Sequence, residues 1–558
     1  MAQGTSKSPV AAFDALAAEY YRAWFRFHPE DAVDLGVPGF AGRLRPYDDD
    51  EFGAQIAIQE KLLAGLDELN LDALDADRRI DAQILAGQAL IEHHELLEQD
   101  WRRRDPVRFL PINALYQLTV LPVADFAQAF QSRVEQVPAY LRGARAHLQE
   151  LPELVPVGWL ESALAMAETG ADYLRGLHRH PRVVHGFQQQ PTMPHDALER
   201  AARAVEEFGH FLEHEIGPRA SGDFACGRPQ FERILRARHG LDVDADRLHA
   251  FGVRLFDSTQ RELAAVTREL RADGDAGALW AQIGREHPEP ESLLSEYRAQ
   301  MQAARAFVAA RDLVTLPAQE RLEVVETPPF LRHQIPFAAY MAPVADDPEQ
   351  RGYYYVTPPT NAAALGEHNL PGLMHTCVHE AWPGHHLQFV TANLNPQARS
   401  LPRRVNASAT LYEGWALYCE QLMQEQGFLH RPEQRFTLLR DRLWRALRVQ
   451  LDVELQTRGL SIAAAADRMQ SALGFPRAQA LADLAWYTRS PAVPMGYATG
   501  WALLSAARAE LVPGRMPLKD FHDRLLAVGS AGLPWVLQRA FGTDIYPAVE
   551  SAVFDPTE

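Results

Sequence analysis

The residues His375 to Phe389, HTCVHEAWPGHHLQF, concentrate reactive side chains in a short stretch. His379 and Glu380 are adjacent, and His385 and His386 follow within a few positions. Imidazoles bind metal ions through either ring nitrogen, and a carboxylate beside them can take a proton from a metal-bound water. In a continuous helix, residues four apart share a face, which is how an H-E-x-x-H segment offers two imidazoles to one ion. Here the position four after His379 is Pro383. Proline removes a backbone donor and glycine tolerates unusual dihedrals, so Pro383-Gly384 must end or distort the helix begun by LMHTCVHEAW. HHLQFVTANL is again compatible with a helix. The sequence therefore predicts a turn that folds His385 or His386 back beside His379. Regular helical spacing on its own slightly favours His386.

A catalytic zinc ion takes three protein ligands and keeps one position open. The third candidate is Glu413 in LYEGWALYCEQL, 27 residues past His386, which leaves room for a helix, a loop and a second helix. Glu420 is seven residues later, two helical turns on and near the same face. It could support a ligand from behind or be solvated. An HE dipeptide alone means little, since His93–Glu95 and His214–Glu215 carry one too and read as surface helix positions. HEAWPGHH is more specific, with three histidines and a glutamate in eight residues. Cys377 lies two residues from His379 on another helical face and reads as buried packing, as does Cys419.

These groups need elements to position them. Helical periodicity dominates, as in AFDALAAEYYRAWFRF, PAYLRGARAHLQEL and HDALERAARAVEEFGHFLEHEI. Residues 1–315 read as a helical lobe. The texture then changes: RLEVVETPPFLRHQIPFAAYMAP and RGYYYVTPP are rich in strand-forming residues, and ADDPEQRG between them has turn chemistry. This predicts a small antiparallel sheet just before residue 360. Helices resume after it, so that residues 316–558 form a catalytic lobe continuous with the first. The fold class is mainly α with one small antiparallel sheet next to the zinc-site helix.

Bulk properties narrow the field. The net charge of −18 and the lack of a sustained basic stretch argue against nucleic-acid binding. No run of about 18 apolar residues predicts a membrane span. Three cysteines do not form a disulfide framework, and no secretory signal is visible, so a cytoplasmic, reducing location is expected.

HEAWPGHH followed by EGWALYCEQL resembles the signature of domain-of-unknown-function family 885, which reads like HEAxPGHH and then EGWALY. The resemblance is strong over about residues 320–510, and FHPEDAVDLGV looks like the family's opening. It implies a large helical, cleft-shaped peptidase-like fold, related to the gluzincin zinc peptidases typified by thimet oligopeptidase and the Thermus-type carboxypeptidase. It implies His379 and Glu413 as ligands. It favours His385 over His386, because the family often carries an aromatic residue in place of the second histidine of the pair. Where the family reads like DTGLH, this chain has DVELQ: Asp452 matches, but Glu454 and Gln456 replace the glycine and the histidine. RSPAVPMGYATG resembles a family segment with a tyrosine near Pro and Gly, which makes Tyr497 the candidate for stabilising an oxyanion. Arg489 could bind a substrate carboxylate, although an ordinary surface salt bridge is its default reading.

The expected function is a zinc-dependent hydrolase of peptide or other amide bonds with one Zn²⁺ per chain. Its ligands are His379, His385 and Glu413, its base Glu380, and His386, Glu420 and Asp452 are supporting groups or alternative ligands. Tyr340 and Tyr354, on the strands, are candidates for contact with an extended peptide. A metal-dependent amidase for a small metabolite and a binding protein with a degenerate site are the rival expectations.

Overall fold

The computed structural model describes residues 8–188, 194–328, 332, 335 and 337–556. The chain divides into two compact units, Met1–Phe224 and Ala225–Glu558.

The first unit is helical. Its opening helix, Pro9–Phe27, starts where Ser8 accepts a hydrogen bond from the Ala11 N–H and Pro9 sets the first turn. It buries Phe13, Tyr20, Tyr21, Trp24 and Phe27, which recur at helical spacing. Buried hydroxyls on that face find partners on two further helices: Tyr20 donates to Gln59 at 2.8 Å and Tyr21 to Gln88 at 2.9 Å. The other periodic segments lie chiefly in Phe126–Glu150, which runs through Pro138, and in His195–Phe211 with the wider helical turn Leu212–Ile216 that continues it.

The second unit carries the site. The composition change near residue 315 does not mark the division between units, which falls at 224/225. A change from helical to strand-like texture reports local propensity, whereas a compact unit is defined by packing. Ala245–Leu270 lies along Pro432–Thr457, with Gln450 donating to the Gly252 carbonyl at 3.2 Å, so helices before residue 315 belong with those after it.

The sheet has three strands: β1 Arg321–Glu326, β2 Ala338–Met341 and β3 Arg351–Val356, in the order β1-β3-β2. β2 and β3 are antiparallel, with Ala338 opposite Val356 and Met341 opposite Tyr353. β1 is parallel to β3, with Arg321 opposite Arg351. The sheet is therefore mixed rather than antiparallel throughout. The turn residues between β2 and β3 encode that hairpin, and Asp347 accepts from the Arg351 N–H at 3.0 Å within it. The placement of β1 across β3 is a nonlocal pairing that no turn residue announces. Residues 329–331, 333, 334 and 336 of the expected strand region lie outside the described residues. Alternation along β3 buries Gly352, Tyr354 and Val356 and leaves Tyr353 and Tyr355 half-buried on the other face. Among the described residues, no helix is long and apolar enough to cross a membrane.

Candidate metal centre

The first site helix, Leu370–Glu380, begins where Asn369 accepts from the Gly372 N–H at 2.9 Å. It stops at Glu380, and the chain turns through a cis Trp382–Pro383 peptide before the next helix, His385–Leu394, begins. Gly384 folds back over the finished helix and donates to the Val378 carbonyl at 3.1 Å. A Cβ at Gly384 would overlap the His379 carbonyl oxygen, so only glycine fits this close approach. Trp415 ties the turn to the third site helix, Ala409–Glu425, by donating from Nε1 to the Pro383 carbonyl at 2.7 Å. Gly384→Ala is expected to destabilise the protein by about 2–3 kcal/mol, the scale of overpacking in a rigid site. Thermal melting of the purified variant checks this, with an unchanged Tm as the contrary result.

The turn brings His385 to His379. Their rings are 4.8 Å apart between centroids and nearly perpendicular, at 87°. Glu413 joins them from the third helix: its Oε2 is 3.3 Å from His385 Nε2 and 3.7 Å from His379 Nε2. One potential ligand atom from each of His379, His385 and Glu413 lies within 4.8 Å of the others. Glu413 Oε2 is buried and makes no hydrogen bond, an orphan atom aimed at two imidazole nitrogens. A metal ion fits that donor set, because one cation would satisfy a carboxylate oxygen and two imidazoles together.

Glu420, two turns beyond Glu413, is only 4 % exposed and pairs with His379 Nδ1 at 2.8 Å. That bond assigns the Nδ1 proton to the Glu420 side and leaves Nε2 facing Glu413, the usual way a carboxylate orients a metal-binding histidine. His375, donating from Nε2 to the Gln434 carbonyl at 2.7 Å, lies on the far side of Glu420. His385 has no such support, since its Nδ1 is buried without a hydrogen-bond partner. Burial disfavours a charged His379, but the carboxylates of Glu413, Glu420 and Glu380 outweigh it and hold the ring protonated up to about 10. Burial likewise opposes charge on Glu413, and His385 and His379 overcome it and depress its pKa. A metal ion must displace the His379 proton. Zinc added to chelated protein at pH 7 is therefore expected to release at least one proton per site. Calorimetry in buffers of different ionisation enthalpy measures it, and a binding heat independent of buffer would contradict the charge state.

His386 points elsewhere. It is fully buried, with Nε2 3.2 Å from Glu320 and Nδ1 3.1 Å from the Tyr340 hydroxyl. Its position one residue past His385 turns it to another side of the helix, where it braces the sheet. Glu380 is half-buried at the end of its helix and makes no hydrogen bond or ion pair with the described residues. Its charge, after burial itself, contributes to raising the pKa values of Tyr340 and Tyr354.

Tyr497 approaches Glu413 from the helix Gly496–Leu511. The two helices meet backbone to backbone, and a Cβ on Gly500 would sit 2.7 Å from the Gly414 Cα. Burial first, and then the adjacent Glu413 carboxylate, push the Tyr497 hydroxyl well above its usual range, so it is a neutral donor. The Arg448 guanidinium lies 4.7 Å above its ring.

The family model for bacterial proteins of unknown function, DUF885, matches residues 29–540. The chain belongs to the DUF885 family.

Positions where this DUF885 chain agrees with or departs from the expected pattern have structural roles that spacing did not reveal. Asp452 is fully buried and accepts from the backbone N–H groups of Ala492 at 3.2 Å and Met495 at 3.1 Å. It holds the turn that leads into Tyr497, where Ala492 adopts φ +61°. Burial pushes its carboxyl up to about 8, against the two N–H groups. Asp452 is thus a positioning group rather than an alternative ligand. Gln456 is equally buried: its carbonyl accepts from the Cys226 N–H at 3.0 Å and its amide donates to the Tyr487 carbonyl at 3.2 Å. Glu454 pairs with His249 at 2.6 Å.

The strand tyrosines separate. Tyr340 is half-buried, and its ring lies parallel to His385 at 6.4 Å. Tyr354 is 1 % exposed and packs on Tyr297, so it has no surface to offer a substrate. Arg489 sits in the turn after Arg477–Tyr487, and its backbone N–H donates to the Trp486 carbonyl. Cys377 and Cys419 are fully buried, as packing residues would be. In the first unit, His210, Glu213 and His214 also lie close together, but all three are exposed on a helix surface.

A lipoprotein candidate of unknown function from Shewanella oneidensis is similar to this chain at 23% identity and a TM-score of 0.77, covering 94% of this chain and 99% of its own. A lipoprotein candidate from Colwellia psychrerythraea is similar at 18% identity and a TM-score of 0.76, covering 95% and 98%. An M32 carboxypeptidase from Deinococcus radiodurans R1 aligns over 98% of this chain and 99% of its own, at 13% identity and a TM-score of 0.41, a remote likeness. No curated protein sequence matches significantly. The first two neighbours overturn the expectation of a cytoplasmic location, because both are described as lipoproteins. The cysteines that suggested a reducing compartment form no disulfide among the described residues, and two of them are buried.

Proposed function

We propose that this protein is a zinc-dependent hydrolase of peptide or other amide bonds. The observation that carries the reading is the convergence of His379, His385 and the orphan Glu413 oxygen next to an unpaired Glu380. Zinc held by these three residues would supply a Lewis acid that lowers the pKa of a bound water to about 7. Glu380 would take a proton from the attacking water and pass it to the leaving amine, the role that a half-buried carboxylate without a fixed partner among the described residues can fill. The Tyr497 hydroxyl would donate a hydrogen bond to the oxyanion that develops on the substrate carbonyl. Glu420 fixes the His379 ring, and Asp452 fixes the turn that carries Tyr497. β2 pairs with β3 on one side, and its other edge offers backbone groups to an extended peptide beside Tyr340.

The test joins metal analysis of protein purified without chelator to cleavage of a peptide library and a panel of small amides. About one zinc per chain and cleaved peptides are expected. Small amides cut while peptides remain intact would move the substrate class, and a metal-loaded protein that cuts neither would sink the reading.

A further inference from the structure

In the first unit, the segment HFLEHEI, His210 to Ile216, brings histidine and glutamate together a second time. The helix His195–Phe211 runs directly into a π-helical turn, Leu212–Ile216. The Gly217 N–H closes that turn by donating to the Leu212 carbonyl, five residues back, at 2.8 Å. A Cβ on Gly217 would sit 2.6 Å from the Glu213 carbonyl oxygen, so the closure needs glycine. The wider turn keeps Leu212 and Ile216 buried and leaves Glu213, His214 and Glu215 on the surface. In an α-helix, residues four apart are already neighbours. A π turn holds more residues than an α turn, so His214 is carried less far past His210 and lies more nearly above it.

The His210 and His214 rings are 5.7 Å apart between centroids and nearly perpendicular, at 86°. Glu213 stands beside them, with its Oε2 3.6 Å from His214 Nδ1. One potential ligand atom from each of the three lies within 4.8 Å of the others. The neighbouring carboxylates are committed elsewhere. Glu215 accepts from Arg145 at 3.3 Å and from Gln149 at 2.7 Å, both on the helix Phe126–Glu150. Glu206 accepts from the two terminal nitrogens of Arg175, at 2.7 and 2.9 Å. Among the described residues, His210, Glu213 and His214 make no hydrogen bond or ion pair outside their own group. A shared cation is the partner that their lone pairs have in common.

We propose that His210, Glu213 and His214 form a second metal site, an exposed and exchangeable one that takes a divalent transition-metal ion of the zinc, nickel or copper class. Two imidazoles and one carboxylate favour that class over magnesium and calcium, which take oxygen ligands. The remaining coordination positions face solvent and keep water. Among the described residues, neither ring has a hydrogen-bonded carboxylate behind it, as His379 has in Glu420, so the ion is held more weakly here than at the buried group. Once bound, it ties the last α turn of His195–Phe211 to the π turn and stabilises both against opening. The site is independent of the hydrolase reading.

The experiment titrates zinc, and separately calcium, into the full chain stripped with chelator, and follows binding by calorimetry and backbone hydrogen exchange. Wild type is expected to take up two saturable equivalents of zinc, the second weaker and lost on dialysis. His210→Ala and His214→Ala each keep the first equivalent and weaken the second by about 10- to 100-fold. Glu213→Gln, which keeps the shape without the charge, falls between. The second equivalent slows exchange over residues 210–217 in wild type and not in His214→Ala. All three side chains are exposed, so these variants fold as wild type does. No second equivalent in wild type, a second equivalent that survives both histidine variants, exchange over residues 210–217 unaffected by it, or calcium bound there as tightly as zinc overturns the proposal. If the buried group takes no zinc, the surface site is still judged: a single equivalent that both histidine variants abolish upholds it, and one that both retain overturns it.

Discussion

His379→Ala, His385→Ala and Glu413→Ala are each expected to empty the metal site, whereas His386→Ala keeps zinc. The first three remove an atom from a group whose ligand atoms already converge within 4.8 Å. A three-residue zinc site reduced to two ligands loses affinity by orders of magnitude, since each ligand bond is a large part of the binding free energy. His386 instead spends both ring nitrogens on Glu320 and Tyr340. Its removal loosens the sheet behind His385 and so acts on turnover and stability, with an expected loss of about 1–3 kcal/mol from a buried Glu320 left without that partner. Zinc dissociation constants measured with a competing chromophoric chelator decide the matter. Because His210, Glu213 and His214 could take up metal on the surface, the measurement is made with His210→Ala present. Zinc retained by His385→Ala and lost by His386→Ala would transfer the ligand role to His386.

The contrast between those neighbours shows what a sequence can and cannot carry. The break at Pro383-Gly384 is legible because proline and glycine act on their own backbone. The choice between His385 and His386 is not, because it depends on how Gly384 seats against the His379 carbonyl and how Trp415 pins the Pro383 carbonyl from another helix. Glu413 and Glu420 could be placed on one face by their seven-residue spacing alone. The role of Asp452 could not: a carboxylate near the motifs suggests a ligand, yet it accepts two backbone N–H groups 40 and 43 residues away. Tyr354 and Tyr340 look alike in a strand-rich stretch, and strand order settles which one is covered.

Glu380→Gln is expected to bind zinc as wild type does and to lose turnover by about a hundredfold or more. The amide keeps the size and shape of the side chain at the end of the Leu370–Glu380 helix, and Glu380 belongs to neither the ligand group nor the Glu420 support. What it loses is the ability to hold a proton between water and leaving amine. Glu380 makes no hydrogen bond or ion pair with the described residues, so the variant should be no less stable than wild type. This separates a failed base from a failed fold. Zinc content, melting temperature and kcat measured on one preparation give three readouts, of which only kcat should fall. Undiminished kcat would remove Glu380 from the reaction and with it the proposed route of the proton. A fall in zinc content would instead make Glu380 a fourth ligand, and the open coordination position needed for a water would be gone.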